Sequence, residues 1–294
     1  LTDVDTNDGT ITVDAGGALT VTDVASGTNG NIVLSTSSGD ITGLAVVNAG
    51  SGNVTLNSAG AIVDDGSSGT VITGGVLTAD AAGAITIDST VTSANISTSA
   101  AGAVDLDETD GITLTDVDTN AGSITVDAGG LITATDVVAA GGSGDSVTLS
   151  TTTGGAVATL ITGADAVSIT ANAGDITIGS VTATTGTLGV TATAGSINDA
   201  ADDNTADFTA GGLITLTAQD EIGVLGSGSD LDLEFASGSS VNVSTTGTGA
   251  IDLDGLGTLT LSDVDTVNGA ITASSAGALT VTDVASGTNG NIVL

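Results

Sequence analysis

The sequence predicts an all-β protein, and within that class a right-handed parallel β-helix with three short strands in each coil of about 20–23 residues. Residues 1–34 recur at 261–294, and the last eighteen positions of the two copies are identical, so the chain is a repeat array. Short apolar–polar–apolar segments follow one another throughout, which is typical of strands with one buried face. The 294 residues include 45 glycines and no proline, which suits a backbone of many turns whose amides are nearly all paired.

The two copies lie 260 residues apart, and a third copy of the opening begins at Leu114. A duplication that reaches both ends of residues 1–294 indicates one continuous solenoid segment cut from a longer array. We therefore expect any export signal to lie outside it. An isolated segment would present unpaired strand edges, so we also expect self-association, either end to end or by axial continuation into a filament.

Each predicted coil is anchored by apolar residues. The first anchors recur every 20 to 23 residues, except for a 27-residue interval between Leu77 and Val104 that holds an extra strand-like piece around Ile96. The series is Ile11, Ile32, Val54, Leu77, Val104, Ile124, Val147, Val167, Leu188, Phe208, Leu231, Ile251 and Ile271. Acidic clusters interrupt this rhythm at residues 105–111 and 198–207, where we expect irregular inserts.

The predicted corners follow from the same alternation. Val21 and Val24 are three residues apart, so both can be buried only if the chain bends at Thr22 and Asp23. No stretch has a helical period, and Val, Ile, Thr and Gly are poor helix formers, so no helix is predicted. Parallel crossovers are nearly always right-handed, which favours a right-handed coil.

Composition excludes several functions. There are 35 acidic residues and no Lys, Arg or His, and nucleic-acid binding depends on such cations to displace counterions from phosphates. No apolar run approaches the roughly 20 residues that span a bilayer, so membrane insertion is not expected. Cysteine is absent, which excludes disulfides and thiolate metal sites. Without His or Cys there is also no nucleophile–base pair of the usual kind.

Repeated segments at residues 52–63 (GNVTLNSAGAIV), 122–132 (GSITVDAGGLI) and 171–181 (ANAGDITIGSV) carry a family resemblance. They resemble the hemagglutinin-type repeats of secreted bacterial exoproteins, the filamentous hemagglutinin and giant adhesin families. The resemblance covers nearly the whole chain. It implies a secreted or cell-surface β-helical fibre that serves adhesion or contact with another cell surface.

Two other function classes stay open. Rows of outward Thr residues are a feature of some ice-binding solenoids, which leaves an ice- or glycan-binding surface as the alternative. The predicted row on the first strand comprises Thr12, Thr55, Thr78, Thr125 and Thr148. A polysaccharide-degrading enzyme is the remote alternative, because the adjacent acids Asp64 and Asp65, or Asp202 and Asp203, could act as paired carboxylates. Adjacent acids beside glycine are also common turn residues, so we expect no enzyme.

Aspartates form the candidate metal sites, and Ca²⁺ is the candidate ion. Pairs of Asp are 20 residues apart, so each pair should occupy the same corner of consecutive coils, with a third Asp two positions along the strand. The predicted sites are Asp3, Asp5 and Asp23; Asp116, Asp118 and Asp136; and Asp263, Asp265 and Asp283. Hard oxygen ligands favour Ca²⁺. The structural alternative is that these Asp side chains accept hydrogen bonds from nearby backbone amides. No cofactor is required by this prediction.

Overall fold

The computed structural model describes residues 1–67, 69, 71–201, 203–223, 230–235, 239–287 and 290–294. In these residues every regular element is a strand, and parallel strands stack as a β-solenoid of about 13 turns, which confirms the predicted fold class. None of the described residues lies in a helix long and apolar enough to cross a membrane. The chain divides into two compact units, Leu1–Gly130 with Asp136–Asp145, and Leu131–Thr135 with Ser146–Leu294.

The first unit contains fifteen of the strands described in the chain. They are β1 (Val4–Asp5), β2 (Ile11–Ala15), β3 (Leu19–Thr20), β4 (Asp23–Ala25), β5 (Ile32–Thr36), β6 (Ile41–Leu44), β7 (Val46–Asn48), β8 (Val54–Ser58), β9 (Ile62–Asp64), β10 (Ile72–Ala81), β11 (Ile85–Ala101), β12 (Val104–Glu108), β13 (Ile112–Ala121), β14 (Ile124–Ala128) and β16 (Val137–Ala139).

The second unit contains the remaining described strands. They are β15 (Ile132–Ala134), β17 (Val147–Thr151), β18 (Ala156–Gly163), β19 (Val167–Ala171), β20 (Ile176–Ala183), β21 (Leu188–Ala192), β22 (Ile197–Asp199), β23 (Phe208–Ala210), β24 (Ile214–Ala218), β25 (Leu231–Phe235), β26 (Val241–Thr245), β27 (Ile251–Gly255), β28 (Leu259–Thr266), β29 (Ile271–Ser275), β30 (Leu279–Val281), β31 (Val284–Ser286) and β32 (Ile292–Val293).

Each strand pairs in parallel with the equivalent strand of the next coil. In the first unit Ile11 aligns with Ile32 and Ile32 with Val54, so like residues stack on like. Their side chains point inward and are fully or nearly fully buried, and burying each Val, Leu or Ile contributes about 1.5–3 kcal/mol. The core of each unit is therefore a set of aliphatic columns that run from coil to coil.

The predicted anchor series is right about the period and wrong about the faces. Leu77 aligns with Ala94, whereas Val104 aligns with Ile85 on the next face of the coil. A second change occurs at Phe208, because Leu188 aligns with Ile214. Coils differ in length, and counting intervals along the sequence cannot show on which face an anchor lies.

The predicted insert at residues 105–111 is also wrong in its first part. Asp105 and Asp107 are outward residues of β12, which pairs in register with β11 on one side and β14 on the other. Alternating acids are compatible with a strand whose outer face meets water. Residues 200–206, by contrast, lie outside the strands where they are described, so the second predicted insert is confirmed in part.

Corners are formed by bends, bulges and glycine. Val21 and Val24 are both fully buried, and a bend at Thr22 separates β3 from β4, as the alternation predicted. At the next turn Gly27 has a φ of 70°, and a Cβ there would lie 1.7 Å from the backbone oxygen of Asn7. Only glycine fits this close approach of one coil to the next.

Buried hydroxyl groups complete another corner of the first unit. Thr36, Ser58, Thr98 and Thr119 end strands in one column of stacked coils. Each donates a hydrogen bond to a backbone oxygen three or four residues further along the chain. These bonds satisfy carbonyl groups that the turn removes from the ladder, which explains why polar side chains are tolerated at buried corner positions.

Candidate metal sites

The predicted Asp triads lie where coils stack. In the first unit Val4 aligns with Val24, so Asp3 lies beside Asp23 and Asp5 follows on the same outward face. Val117 aligns with Val137 in the same way, which brings Asp116 beside Asp136. In the second unit Val264 aligns with Val284, which brings Asp263 beside Asp283. The pairing that the 20-residue spacing predicted is therefore present at all three corners.

The same clustering is visible in the electrostatics. Partial desolvation, followed by the charges of Asp116 and Asp136, raises the pKa of Asp118 to about 6. The pKa of Asp265 is raised by partial desolvation and then by its neighbour Asp263, and the pKa of Asp5 is raised in the same manner. Each triad thus concentrates negative charge, and the chain has no Lys, Arg or His to neutralise it.

The structural alternative for these nine residues is not what the structure shows. Among the described residues, no backbone amide donates a hydrogen bond to any of the nine carboxylates, and Asp136 Oδ1 is buried without a partner. Other acids do have that role: Asp40 Oδ1 accepts a bond from the amide of Ala61 at 2.8 Å, and Asp175 Oδ1 from Ser196 at 2.9 Å. The triads therefore differ from ordinary corner acids.

Two asparagines belong to these corners and were not predicted. Asn95 aligns with Asp116, and Asn242 aligns with Asp263, with a register shift just before each Asn. Asn242 Oδ1 is buried and has no hydrogen-bond partner in the described chain. Both asparagines precede their Asp by 21 residues, one coil, so the spacing could have identified them. An amide oxygen is a further ligand of the kind that Ca²⁺ accepts.

The adjacent acids considered for catalysis act as turn residues. Asp64 Oδ1 accepts a hydrogen bond from the amide of Gly66 at 3.0 Å, and Asp65 Oδ1 accepts one from Ser67 at 2.9 Å. Asp203 Oδ1 accepts a bond from the amide of Thr205 at 2.8 Å, and these bonds lower the pKa of Asp203. Asp202 lies outside the described residues.

The predicted threonine row is interrupted. Val33 aligns with both Thr12 and Thr55, so an apolar residue separates them, and Thr78 is followed by Asn95. Thr125 stacks on Asp105, in a different column from the one that holds Thr78. The five threonines therefore do not form one row of the kind that the alternative function needs.

Glu108 is a buried acid that the sequence did not indicate. It ends β12 between Ser89 and Ala128, and its carboxylate accepts bonds from the Ser89 hydroxyl at 2.6 Å and the Val91 amide at 3.1 Å. Burial raises the pKa of Glu108 above its ordinary value of 4.5, even though these hydrogen bonds favour the ionised form. The carboxylate thus closes a corner but is strained by desolvation when ionised.

We expect the stability contributed by Glu108 to fall as the pH rises. Its pKa is raised in the folded state, so the folded chain binds more protons, and stability is lost as the pH rises from 4.5 through the folded pKa. Glu108→Gln should keep the hydrogen bonds and remove this dependence. Glu108→Ala should cost about 1–3 kcal/mol, because the Val91 amide is left unpaired.

Urea denaturation of the three proteins at pH 4.5 and 7 measures both effects. The Gln variant should gain on the wild type between the lower and the higher pH. An equal pH dependence of wild type and Gln variant would contradict the role given to Glu108.

Comparison with protein-family models, with curated protein sequences and with solved structures finds no match to this chain.

Proposed function

We propose that this chain is a structural repeat segment of an extracellular bacterial fibre or adhesin, with no catalytic activity of its own. Its coils would stack along the fibre, while binding to other cell surfaces would be carried by other parts of the parent protein. The β-solenoid fold fits such a repeat segment. The hemagglutinin-type resemblance of the repeats favours secretion to the cell surface over other settings for the same fold.

The observation that carries the proposal is a comparison of two identical segments. Val21 and Ile32 are fully buried, whereas their counterparts Val281 and Ile292, in the same eighteen-residue sequence, are each 43% exposed. The first pair is covered by a following coil, in which Ile32 aligns with Val54. Burial of a coil therefore comes from its neighbour, as in repeat proteins whose stability is a sum of nearest-neighbour interfaces.

Self-association follows from the same edge. In β32, Ile292 pairs with Ile271 on one side, while Val293 is 59% exposed. An exposed apolar strand edge is a template for another parallel strand. We propose that another coil covers this edge, from the same chain or from a second copy, and that the result is a filament.

Sedimentation velocity over a range of concentrations tests this proposal. The segment should associate as its concentration rises, and Val293→Lys should weaken association because it places a charge on the edge. Val46→Lys is the matched control, since Val46 is 41% exposed on β7 and away from that edge. A wild-type segment that stays monomeric at high concentration, or a control that behaves like Val293→Lys, would contradict filament formation.

The alternative functions have direct tests. Thermal hysteresis of the purified segment would indicate ice binding, and cleavage of any member of a polysaccharide panel would indicate an enzyme. The proposal expects neither. The interrupted threonine row and the turn bonds of Asp64 and Asp65 support that expectation.

Ca²⁺ is proposed as a stabilising ion of the three Asp triads. The orphaned Oδ1 atoms of Asp136 and Asn242 fit such a role, because each is a buried oxygen that lacks a donor in the described chain. Two or three carboxylates fall short of the six to eight oxygens that Ca²⁺ prefers, so we expect water to complete the shell and the affinity to be modest.

A further inference from the structure

A column of acids in the second unit stands apart from the predicted triads. Phe208 aligns with Leu233, so Asp207 lies beside Asp232, and Asp232 in turn aligns with Asp254. Ser274 continues the column on the next coil. Asp230 is two residues before Asp232 and shares its face of the strand. The column therefore places carboxylates from three consecutive coils on one line.

Three of these carboxylates converge. One oxygen from each of Asp230, Asp232 and Asp254 lies within 4.8 Å of the other two, and no other such group of three occurs among the described residues. Oxygens bound to one Ca²⁺ at 2.3–2.6 Å are separated by at most about 5 Å. The predicted triads do not bring three carboxylate oxygens this close together.

The second observation is the state of Asp232. Its side chain is only 2% exposed, and its carboxylate accepts no hydrogen bond from the residues that the structure describes. Asp254 accepts one bond, from the Ser274 hydroxyl at 2.5 Å. A buried carboxylate that is neither paired nor hydrogen-bonded is costly, and it faces two further carboxylates here. The missing partner must therefore be positive and small.

The chain offers no such partner. It contains no Lys, Arg or His, so the counter-charge has to come from solution. Burial, followed by the charges of Asp230 and Asp254, raises the pKa of Asp232 to about 6, so the group is largely ionised at neutral pH. Beside it, burial raises the pKa of Asp207 to about 8, and the Asp207 carboxyl accepts the amide of Asp232 at 2.8 Å.

We propose that Asp230, Asp232 and Asp254 bind one Ca²⁺, which links β25 to β27. The ion would replace the hydrogen bonds that Asp232 lacks and remove the repulsion between the three carboxylates. Water would supply the remaining ligands. The site does not depend on the proposed fibre function, and it uses none of the nine predicted residues.

Hydrogen exchange followed by mass spectrometry tests the site on the full chain. Peptides that contain β25 and β27 are compared with and without CaCl₂, against NaCl of equal ionic strength. At a hundredfold excess of Ca²⁺ over the Kd, exchange through openings that release the ion should slow about a hundredfold. Asp232→Asn should abolish this protection. Its matched control is Asp220→Asn, which removes one exposed charge of the same unit.

The variant should remain folded, because losing one of three repelling charges relieves the unliganded chain. Protection of β25 and β27 by Ca²⁺ in the wild type and in Asp220→Asn, but not in Asp232→Asn, would support the site. Equal protection by NaCl, no protection at all, or full protection in Asp232→Asn would overturn it. Peptides from β13 report separately on the predicted triad at Asp116 and Asp118, so the two metal proposals can fail independently.

Discussion

Replacing Phe208 with Ala should lower the free energy of unfolding by about 3–5 kcal/mol, the usual cost of truncating a buried aromatic side chain. Phe208 is fully buried, and it aligns with Val181 in one neighbouring coil and Leu233 in the other. The ladder hydrogen bonds fix the spacing between coils at about 4.8 Å, so the cavity cannot close by moving one coil toward the next.

Phe235→Ala is the matched control for this prediction. The two phenylalanines are the whole aromatic content of the chain, and Phe235 is only half-buried at the end of β25. Urea denaturation should therefore show a much smaller loss for Phe235→Ala. If the two substitutions cost the same, the interior position of Phe208 is wrong.

Ca²⁺ should raise the melting temperature of the wild type well beyond the effect of NaCl at equal ionic strength. An ion that binds only the folded state stabilises it by about 2.7 kcal/mol at a hundredfold excess over the Kd. The double substitution Asp116→Asn with Asp136→Asn should blunt this rise, because it removes two ligands of one triad and leaves the backbone pairing in place. Differential scanning calorimetry with and without CaCl₂ measures both results.

A control with the same change in charge uses Asp14→Asn with Asp80→Asn. Both residues are exposed in the first unit, and each accepts a hydrogen bond from a serine hydroxyl of the next coil. This control should keep the full response to Ca²⁺. Equal stabilisation by NaCl, or an equal loss in the control, would mean that the acids form only a diffuse charged surface.

The fold could be predicted because its signals are local. Apolar–polar alternation identifies strands with one buried face, and the separation of Val21 from Val24 is enough to predict a bend between them. Register is not local. Coils of different length keep the same columns in contact, so Val104 stacks on Ile85 although interval counting placed it after Leu77.

The sites divide along the same line. Asp116 and Asp136 could be paired from the sequence because their coil has the average length. Asp207, Asp232 and Asp254 are separated by longer steps, so a search at a 20-residue spacing passes over them. Burial also depends on neighbouring coils, which is why neither the isolated carboxylate of Asp232 nor that of Glu108 could be predicted from local sequence.

Cysteine pairs test the parallel, in-register stack most directly, since the chain has no cysteine of its own. The outward residues Thr55 and Thr78 are aligned between β8 and β10, as are Asn57 and Asp80. Disulfides require Cα atoms about 4.4–6.8 Å apart, and neighbouring strands lie about 4.8 Å apart. Mass spectrometry after mild oxidation would detect each cross-link.

Four double-cysteine variants distinguish the two strand directions. The account predicts that the pairs 55 with 78 and 57 with 80 both cross-link, because both alignments occur together only when β8 and β10 run parallel. Cross-linking of 55 with 80 and of 57 with 78 instead would show antiparallel strands and contradict the solenoid.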